Sequence, residues 1–223
     1  MDYKIFAVMP VYNQEKVVGG VIRKTKRYVD EVIAVIDGSV DNSLGEAKDA
    51  GAVVIKNGKN MGLGFTLRRG INDAIRRGAD VIVTIDSDGQ HDPSEIPKLV
   101  EALIKNRVDV VIGSRPHDRN MPLIKKFGND MLFIISNLLF GVSIKDTQSG
   151  FKAFTPDAFR SMEWKSDRYS ICSEIVMRIG KSKLKYREIP IKTIYETGHE
   201  TGLKDIVDGL KTGLDMLRWK LYG

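Results

Sequence analysis

A single cysteine, Cys172, is all that this chain of 223 residues contains. An internal disulfide is excluded, and such usage fits a reducing compartment. Long apolar runs are missing too. No segment reaches the ~18 apolar residues that suggest a membrane span. The longest stretch, 131–144, is interrupted by Ser136, Asn137 and Ser143 and reads as a buried or interfacial helix. The N-terminus has no basic segment followed by a cleavable apolar stretch, so no secretory leader is expected. The expected location is cytoplasmic, with peripheral contact to a membrane's cytoplasmic face as the alternative. Internal repeats and low-complexity segments are absent. So are nucleic-acid recognition motifs and basic runs interleaved with aromatics, and no nucleic-acid partner is expected. The net charge of +6 instead favours nucleotides, lipid phosphates or membrane surfaces.

What is present is an ordinary globular composition, with length enough for one large domain and a substantial core. Runs rich in Val and Ile at 5–9, 32–36, 52–55, 81–85 and 108–112 read as strands. Helix-like stretches at 15–29, 43–50, 64–77 and 93–106 lie between them. Strand and helix alternate, which predicts an α/β fold with a mostly parallel sheet flanked by helices. In such sheets ligands bind beyond the carboxyl ends of the strands. The polar clusters fall there: Pro10–Glu15, Asp37–Asp41, Asp86–His91 and Gly113–Arg115. After residue 115 come a Lys-bearing loop, an apolar helix and a second polar cluster at Asp146–Phe151, expected to share the same sheet. Residues 203–221 carry apolar positions near helical spacing among Lys204, Lys211, Arg218 and Lys220. That pattern predicts an amphipathic terminal helix, either docked or lying on a membrane.

Asp86-Ser87-Asp88-Gly89-Gln90-His91 directly follows the strand-like run ending at Ile85. In an extended chain Asp86 and Asp88 point to the same side, because side chains alternate with a period of two. Two carboxylates and the Gln90 amide suit a hard cation such as Mg²⁺ or Mn²⁺. The competing reading is a solvated Asp-Gly turn.

This cluster has company in a fixed order. Val8 to Glu15 opens the set, followed by Asp37-Gly38-Ser39-Val40-Asp41 and Asn60-Met61-Gly62-Leu63-Gly64. After the acidic turn come Gly113-Ser114-Arg115 and Asp146-Thr147-Gln148-Ser149-Gly150-Phe151. Together these motifs resemble the family 2 glycosyltransferases of GT-A type, in particular the dolichyl- or polyprenyl-phosphate sugar synthases. The resemblance covers roughly residues 4–202 and departs from the family at named positions. Ile36 stands where a first acid is usual, and Leu63 replaces a common lysine. The Gln-x-x-Arg-Trp element of polysaccharide synthases is absent, since Gly213-Leu214-Asp215 precedes Arg218-Trp219. The Arg-x-x-Gly-x-Ser-Lys of many relatives is replaced by Tyr195 to Lys204, with His199 and Lys204 as candidate phosphate contacts.

The resemblance implies a GT-A domain over 1–202, with a nucleotide-sugar half at 1–115 and an acceptor half at 116–202, before the 203–223 helix. It implies nucleotide contacts at Pro10, Tyr12, Asn13, Glu15, Asp37, Gly38, Ser39, Asn60, Gly64 and Asp86, with Asp37 reading the base ring. Asp86, Asp88 and Gln90 would hold Mg²⁺ or Mn²⁺ on the diphosphate. The acceptor would meet Arg115, Lys125, Gln148, Ser149 and Lys204, and Asp88, Arg115 and Asp146 would be catalytic. From the residues themselves, Asn13 reads equally as a helix cap and Arg68 and Arg69 as surface charges. The implied reaction is inverting transfer of a sugar from UDP-Glc, UDP-GlcNAc or GDP-Man to a dolichyl or polyprenyl phosphate. A phosphate acceptor has a second pKa near ~6 and arrives as a dianion, needing cationic guidance more than a base. A glycan or protein hydroxyl acceptor would need one, with Asp146 or Glu174 as candidates. A non-catalytic nucleotide-sugar-binding protein remains a further reading. A nucleotidyltransferase is disfavoured because no Gly-rich loop with Arg and Lys follows the first strand.

Overall fold

The computed structural model describes residues 3–115, 133–135, 137–162, 164–167, 171–192 and 194. Its first half repeats strand and helix: β1 (Ile5–Val11), α1 (Val18–Thr25), β2 (Glu31–Asp37), α2 (Ser43–Asp49), β3 (Val53–Asn57), α3 (Leu63–Arg76) and β4 (Val81–Thr84). A 3-10 turn at Pro93–Glu95, capped by the Asp92 carboxylate on the Ser94 N–H, leads into α4 (Ile96–Lys105) and then β5 (Val110–Ser114). After the helical residues 133–135 and 137–140 come β6 (Lys152–Phe154), α5 (Pro156–Met162), α6 (Ile171–Lys181) and β7 (Tyr186–Pro190).

The sheet has seven strands in the order β3-β2-β1-β4-β6-β5-β7. Only β6 runs against its neighbours, pairing antiparallel with both β4 and β5. The other pairings are parallel. The carboxyl ends of those strands therefore share one edge, and β6 starts from that edge. Being covered on both faces, the central strands are apolar throughout and not alternating. On one face α3, α5 and α6 cover Phe6, Val8, Ile82, Val110 and Phe154. On the other α1, α2 and α4 cover Ala7, Met9, Val83, Val111 and Ala153. The expected mostly parallel α/β sheet is present, and the second half contributes β6 and β7 to it.

One helix boundary and one strand differ from expectation for physical reasons. Helix α1 begins at Val18, not at Glu15, because residues 12–15 are held in a loop with Asn13 in the left-handed region (φ 53). β6 was not anticipated. Three residues are too short to show a period, and the run carries a lysine.

Candidate active site

The loops after β1 and β2 are zipped together. The Asn13 N–H donates to Ser39 Oγ (3.0 Å), and the Val40 N–H donates back to Asn13 Oδ1 (3.0 Å). Glu15 N–H donates to Asp41 and Asn42 N–H to Glu15, each at 3.0 Å. Asn13 is therefore not a cap for α1; its side chain caps the neighbouring loop. Among the expected nucleotide contacts here, Tyr12 is an exposed aromatic, at 49%. Asp41 lies below its usual range: burial works against ionisation, but hydrogen bonds from Ser43 and Glu15 outweigh it.

Asp37 ends β2 and is buried. Its carboxylate accepts from Asn57 Nδ2 (2.7 Å) and from the N–H groups of Met61 (2.8 Å) and Gly62 (2.9 Å). It anchors the Asn60–Gly62 loop, a job its motif did not announce. Gly38 follows at φ 71, where a Cβ would lie 2.9 Å from the Lys59 Cα; only glycine fits this close approach.

Gly64 departs from its expected role as an open backbone approach for nucleotide. Its N–H, like that of Phe65, donates to the Asp167 carbonyl (2.9 and 3.3 Å), and a Cβ would collide with the Ser166 carbonyl. Segment 164–167 therefore occupies the start of α3. Arg68 pairs with Asp167 at 2.7 Å, and Arg69 donates to the Lys56 carbonyl and to Asn57. Both arginines are tied to other elements and are not idle surface charges.

Beyond β4 the chain turns instead of staying extended. Asp88 Oδ1 accepts the Gln90 N–H (2.9 Å) and Gly89 adopts φ 81, so the Asp-Gly turn is real. Burial still alternates: Ile85 and Ser87 are buried, whereas Asp86 and Asp88 are partly exposed. Ser87 fixes the phase by donating to the Pro10 carbonyl (2.8 Å). Asp86 Oδ2 lies 3.2 Å from His91 Nε2, while His91 Nδ1 is buried without a hydrogen-bond partner among the described residues. Facing a carboxylate that is held ionised, Nε2 takes the donor role. Burial alone would raise Asp86, but the His91 hydrogen bond and the positive charges of Lys152 and Arg115 hold it below the usual carboxylate range. Asp88 is pushed up, first by burial and further by the charge of Asp86.

Across β6 lies the second polar cluster. Arg115 grips Asp146 through Nε (2.7 Å), Nη2 (2.8 Å) and its own N–H (3.1 Å). Burial opposes ionisation of Asp146, yet Arg115 holds its carboxyl well below the usual range. Both Asp146 oxygens are taken, so it clamps Arg115 and does not stand ready as a base. Glu174 is likewise committed, accepting from the N–H groups of Lys165 and Ser166 and from Arg178. Ser149 is fully buried and its Oγ accepts the Phe151 N–H, so its expected acceptor contact gives way to a turn-forming role. Gln148 donates to Ser173 at 2.7 Å. Lys125, Lys204, His199 and the 203–223 helix lie outside the described residues.

Sequence reasoning missed Lys152, a buried lysine that bonds the Ser149 carbonyl and bears electrostatically on Asp86 and Asp146. Its signal was a lone charge within Phe151-Lys152-Ala153-Phe154. Thr84, which donates to the Gly150 carbonyl (2.7 Å), and Glu188, which accepts the N–H groups of Lys145 and Asp146, carried no signal.

No group of three or more His, Cys, Asp or Glu side chains placed to hold a metal occurs among the described residues. The set formed by Asp86, Asp88 and Gln90 nevertheless fits a hard cation. Its two carboxylates repel each other, and Asp88, though it feels the charge of His91, forms no salt bridge among the described residues. Oxygen donors of this kind suit Mg²⁺ or Mn²⁺.

Residues 6–205 match the family model described as "Glycosyl transferase family 2". A UDP-N-acetylglucosamine–dolichyl-phosphate N-acetylglucosaminyltransferase from Methanococcus voltae is 34% identical, over 99% of this chain and 97% of the relative. A dolichyl-phosphate hexose transferase from Haloferax volcanii is 28% identical, over 95% and 91%. Among solved structures, glucosyl-3-phosphoglycerate synthase from Mycobacterium tuberculosis, in complex with Mg²⁺ and UDP, superposes with a TM-score of 0.78. That match covers 98% of this chain and 79% of the synthase at 18% identity, a likeness of fold. The chain belongs to glycosyl transferase family 2, as a GT-A-fold glycosyltransferase of the dolichyl-phosphate sugar synthase-like type.

Proposed function

We propose that this protein transfers one sugar from a nucleotide-sugar to a dolichyl or polyprenyl phosphate, with inversion at the anomeric carbon and dependence on Mg²⁺ or Mn²⁺. The observation that carries this reading is the state of the acceptor-side carboxylates. Asp146 and Glu174 are both saturated by the protein's own donors. A hydroxyl acceptor needs a base within hydrogen-bond reach; a phosphate dianion does not. The names of the Methanococcus voltae and Haloferax volcanii relatives support the same acceptor.

In this mechanism the loops after β1, β2 and β3 receive the nucleotide, with Tyr12 open towards it and Asp37 shaping the 60–62 loop. Asp86, Asp88 and Gln90 would hold the cation, which would supply neutralisation of the charge that develops on the departing diphosphate. Arg115 is held by Asp146 through Nε and Nη2, and its fixed positive charge guides the acceptor phosphate. Attack from the opposite face of the sugar inverts the configuration. A lipid acceptor requires the protein to work at a membrane surface, and no helix among the described residues is long and apolar enough to cross one.

The test is a transfer assay with labelled UDP-GlcNAc, UDP-Glc and GDP-Man, a short polyprenyl phosphate and Mn²⁺. UDP-GlcNAc comes first because the 34%-identical relative is named for it. A labelled, solvent-extractable product that falls about 10²–10³-fold in Asp88→Ala is expected, a loss typical of removing one charge-stabilising group. Slow donor hydrolysis with no labelled lipid would sink the acceptor assignment. Transfer to a soluble glycan instead would move the activity to a hydroxyl acceptor.

A further inference from the structure

We propose that Gly150 is a positioning residue for the cation site, its bare Cα forming the seat that holds the Asp86 carboxylate towards Asp88 and Gln90. The inference rests on the cation reading of the 86–90 turn and adds a residue from the other half of the molecule to it.

The argument is steric. A Cβ built on Gly150 would lie 2.6 Å from Asp86 Oδ1, 2.8 Å from Cγ and closer still to Oδ2, and these are its nearest neighbours. No side chain accepts such contacts, so one of the two residues has to give way. The backbone of Gly150 cannot retreat easily. Its carbonyl accepts from Thr84 Oγ1 at 2.7 Å, and Thr84 is paired with Lys152 in the β4–β6 register. On one side Ser149 Oγ holds the Phe151 N–H, and on the other the Phe151 carbonyl holds the Gly113 N–H at 2.9 Å. The Phe151 ring also packs on His91, with centroids 5.2 Å apart. The movable party is the Asp86 side chain, the far end of a rotatable group.

Gly150 does not occupy the left-handed region, since its φ is not among the positive ones. The left-handed penalty therefore does not apply to alanine here, and the three nearest atoms its methyl meets all belong to the Asp86 carboxylate. Gly150→Ala should fold and yet swing Asp86 off its seat, away from His91 Nε2. The glycine of the Ser149-Gly150-Phe151 run, attributed on sequence to the acceptor side, thus sets the geometry of the donor side.

The experiment measures Mn²⁺ affinity by the electron paramagnetic resonance signal of the free ion, with thermal denaturation alongside. Wild type, Gly150→Ala, Asp86→Ala and the double variant form a cycle. Gly150→Ala is expected to fold and to weaken Mn²⁺ binding about tenfold or more, with the double variant no weaker than Asp86→Ala alone, because the two changes act on one carboxylate. Wild-type affinity in Gly150→Ala, beside a loss in Asp86→Ala, overturns the seat and leaves the cation site standing. Unchanged affinity in Asp86→Ala removes both. Should Gly150→Ala lose stability, adding Asp86→Ala restores it, since the colliding atoms are gone; failure to restore it counts against the seat.

Discussion

The carboxyl edge of the sheet is organised differently on its two sides. Around β1 and β2 the loops are clipped by backbone N–H groups donating to Asn13, Ser39, Asp41 and Glu15, on a largely exposed rim. Around β4, β6 and β5 the same edge is built from buried or half-buried charge: Asp86, Asp146, Arg115 and Lys152. Clips between exposed groups are individually weak and replaceable, whereas removing one member of a buried ionic set leaves its partner without compensation. The first side is therefore tolerant and shapes a surface. The second is brittle and, in the proposed reaction, is where charge in the substrates is matched.

That contrast can be tested by damage. Arg115→Ala should do the most harm, because it strips both guanidinium bonds from an Asp146 carboxylate at 8% side-chain exposure and leaves it only the residue-115 N–H and the charge of Lys152. A loss of ~3–5 kcal/mol in denaturant unfolding is expected, with transfer activity abolished. A soluble variant of near wild-type stability would mean that the pair is ornamental.

Gly64→Ala comes next. Its methyl meets the backbone carbonyl of Ser166, not a movable side chain, so about 1–3 kcal/mol of overpacking cost is expected. A calorimetric scan showing no fall in Tm would contradict the docking of 164–167 on α3.

Acidification gives a smaller effect with a defined sign. Burial works against ionisation of Glu174, but hydrogen bonds from the Ser166 side chain, the N–H groups of Lys165 and Ser166, and Arg178 outweigh it and hold the carboxyl below its ordinary 4.5. Its folded-state pKa is thus depressed, so its stabilisation is present above about pH 4.5 and lost as pH falls through the depressed value. Tm followed from pH 6 downwards should drop less steeply in Glu174→Gln than in wild type, starting from a lower plateau. Identical slopes would show that Glu174 does not titrate with folding.

Asn13→Ala should cost least, about 1 kcal/mol or less, a Tm shift of roughly 2–4 °C at this chain length. A fall as large as that of Arg115→Ala would erase the distinction between the two sides.

Much of this was legible beforehand. The parallel strands and the placement of each polar cluster at a strand's carboxyl end follow from Val/Ile runs punctuated by Gly and Asp. Motifs marked candidate site residues, but they did not say which groups spend their hydrogen bonds on the protein itself. In the sequence Asp37, Asp146, Ser149 and Glu174 read as facing ligands, whereas each is wholly or largely committed to an internal partner. Such pairings join residues as far apart as Arg115 and Asp146, and no local pattern encodes them. The three-residue β6 was invisible for a related reason: its identity as a strand comes from the slot between β4 and β5.

That slot has a consequence for how the chain assembles. β1 to β4 leave the ribosome in an order that lets them pair at once, but β5 reaches its place only through β6, which is made some 40 residues later. Until then β4 is an open edge, offering unpaired N–H and C=O groups to any passing strand. Non-local pairing of this sort is slow and exposes aggregation-prone surface on the way. Nascent chains that stop short of residue 152 would carry that edge permanently, so the shared sheet makes the two halves inseparable in biogenesis as well as in chemistry.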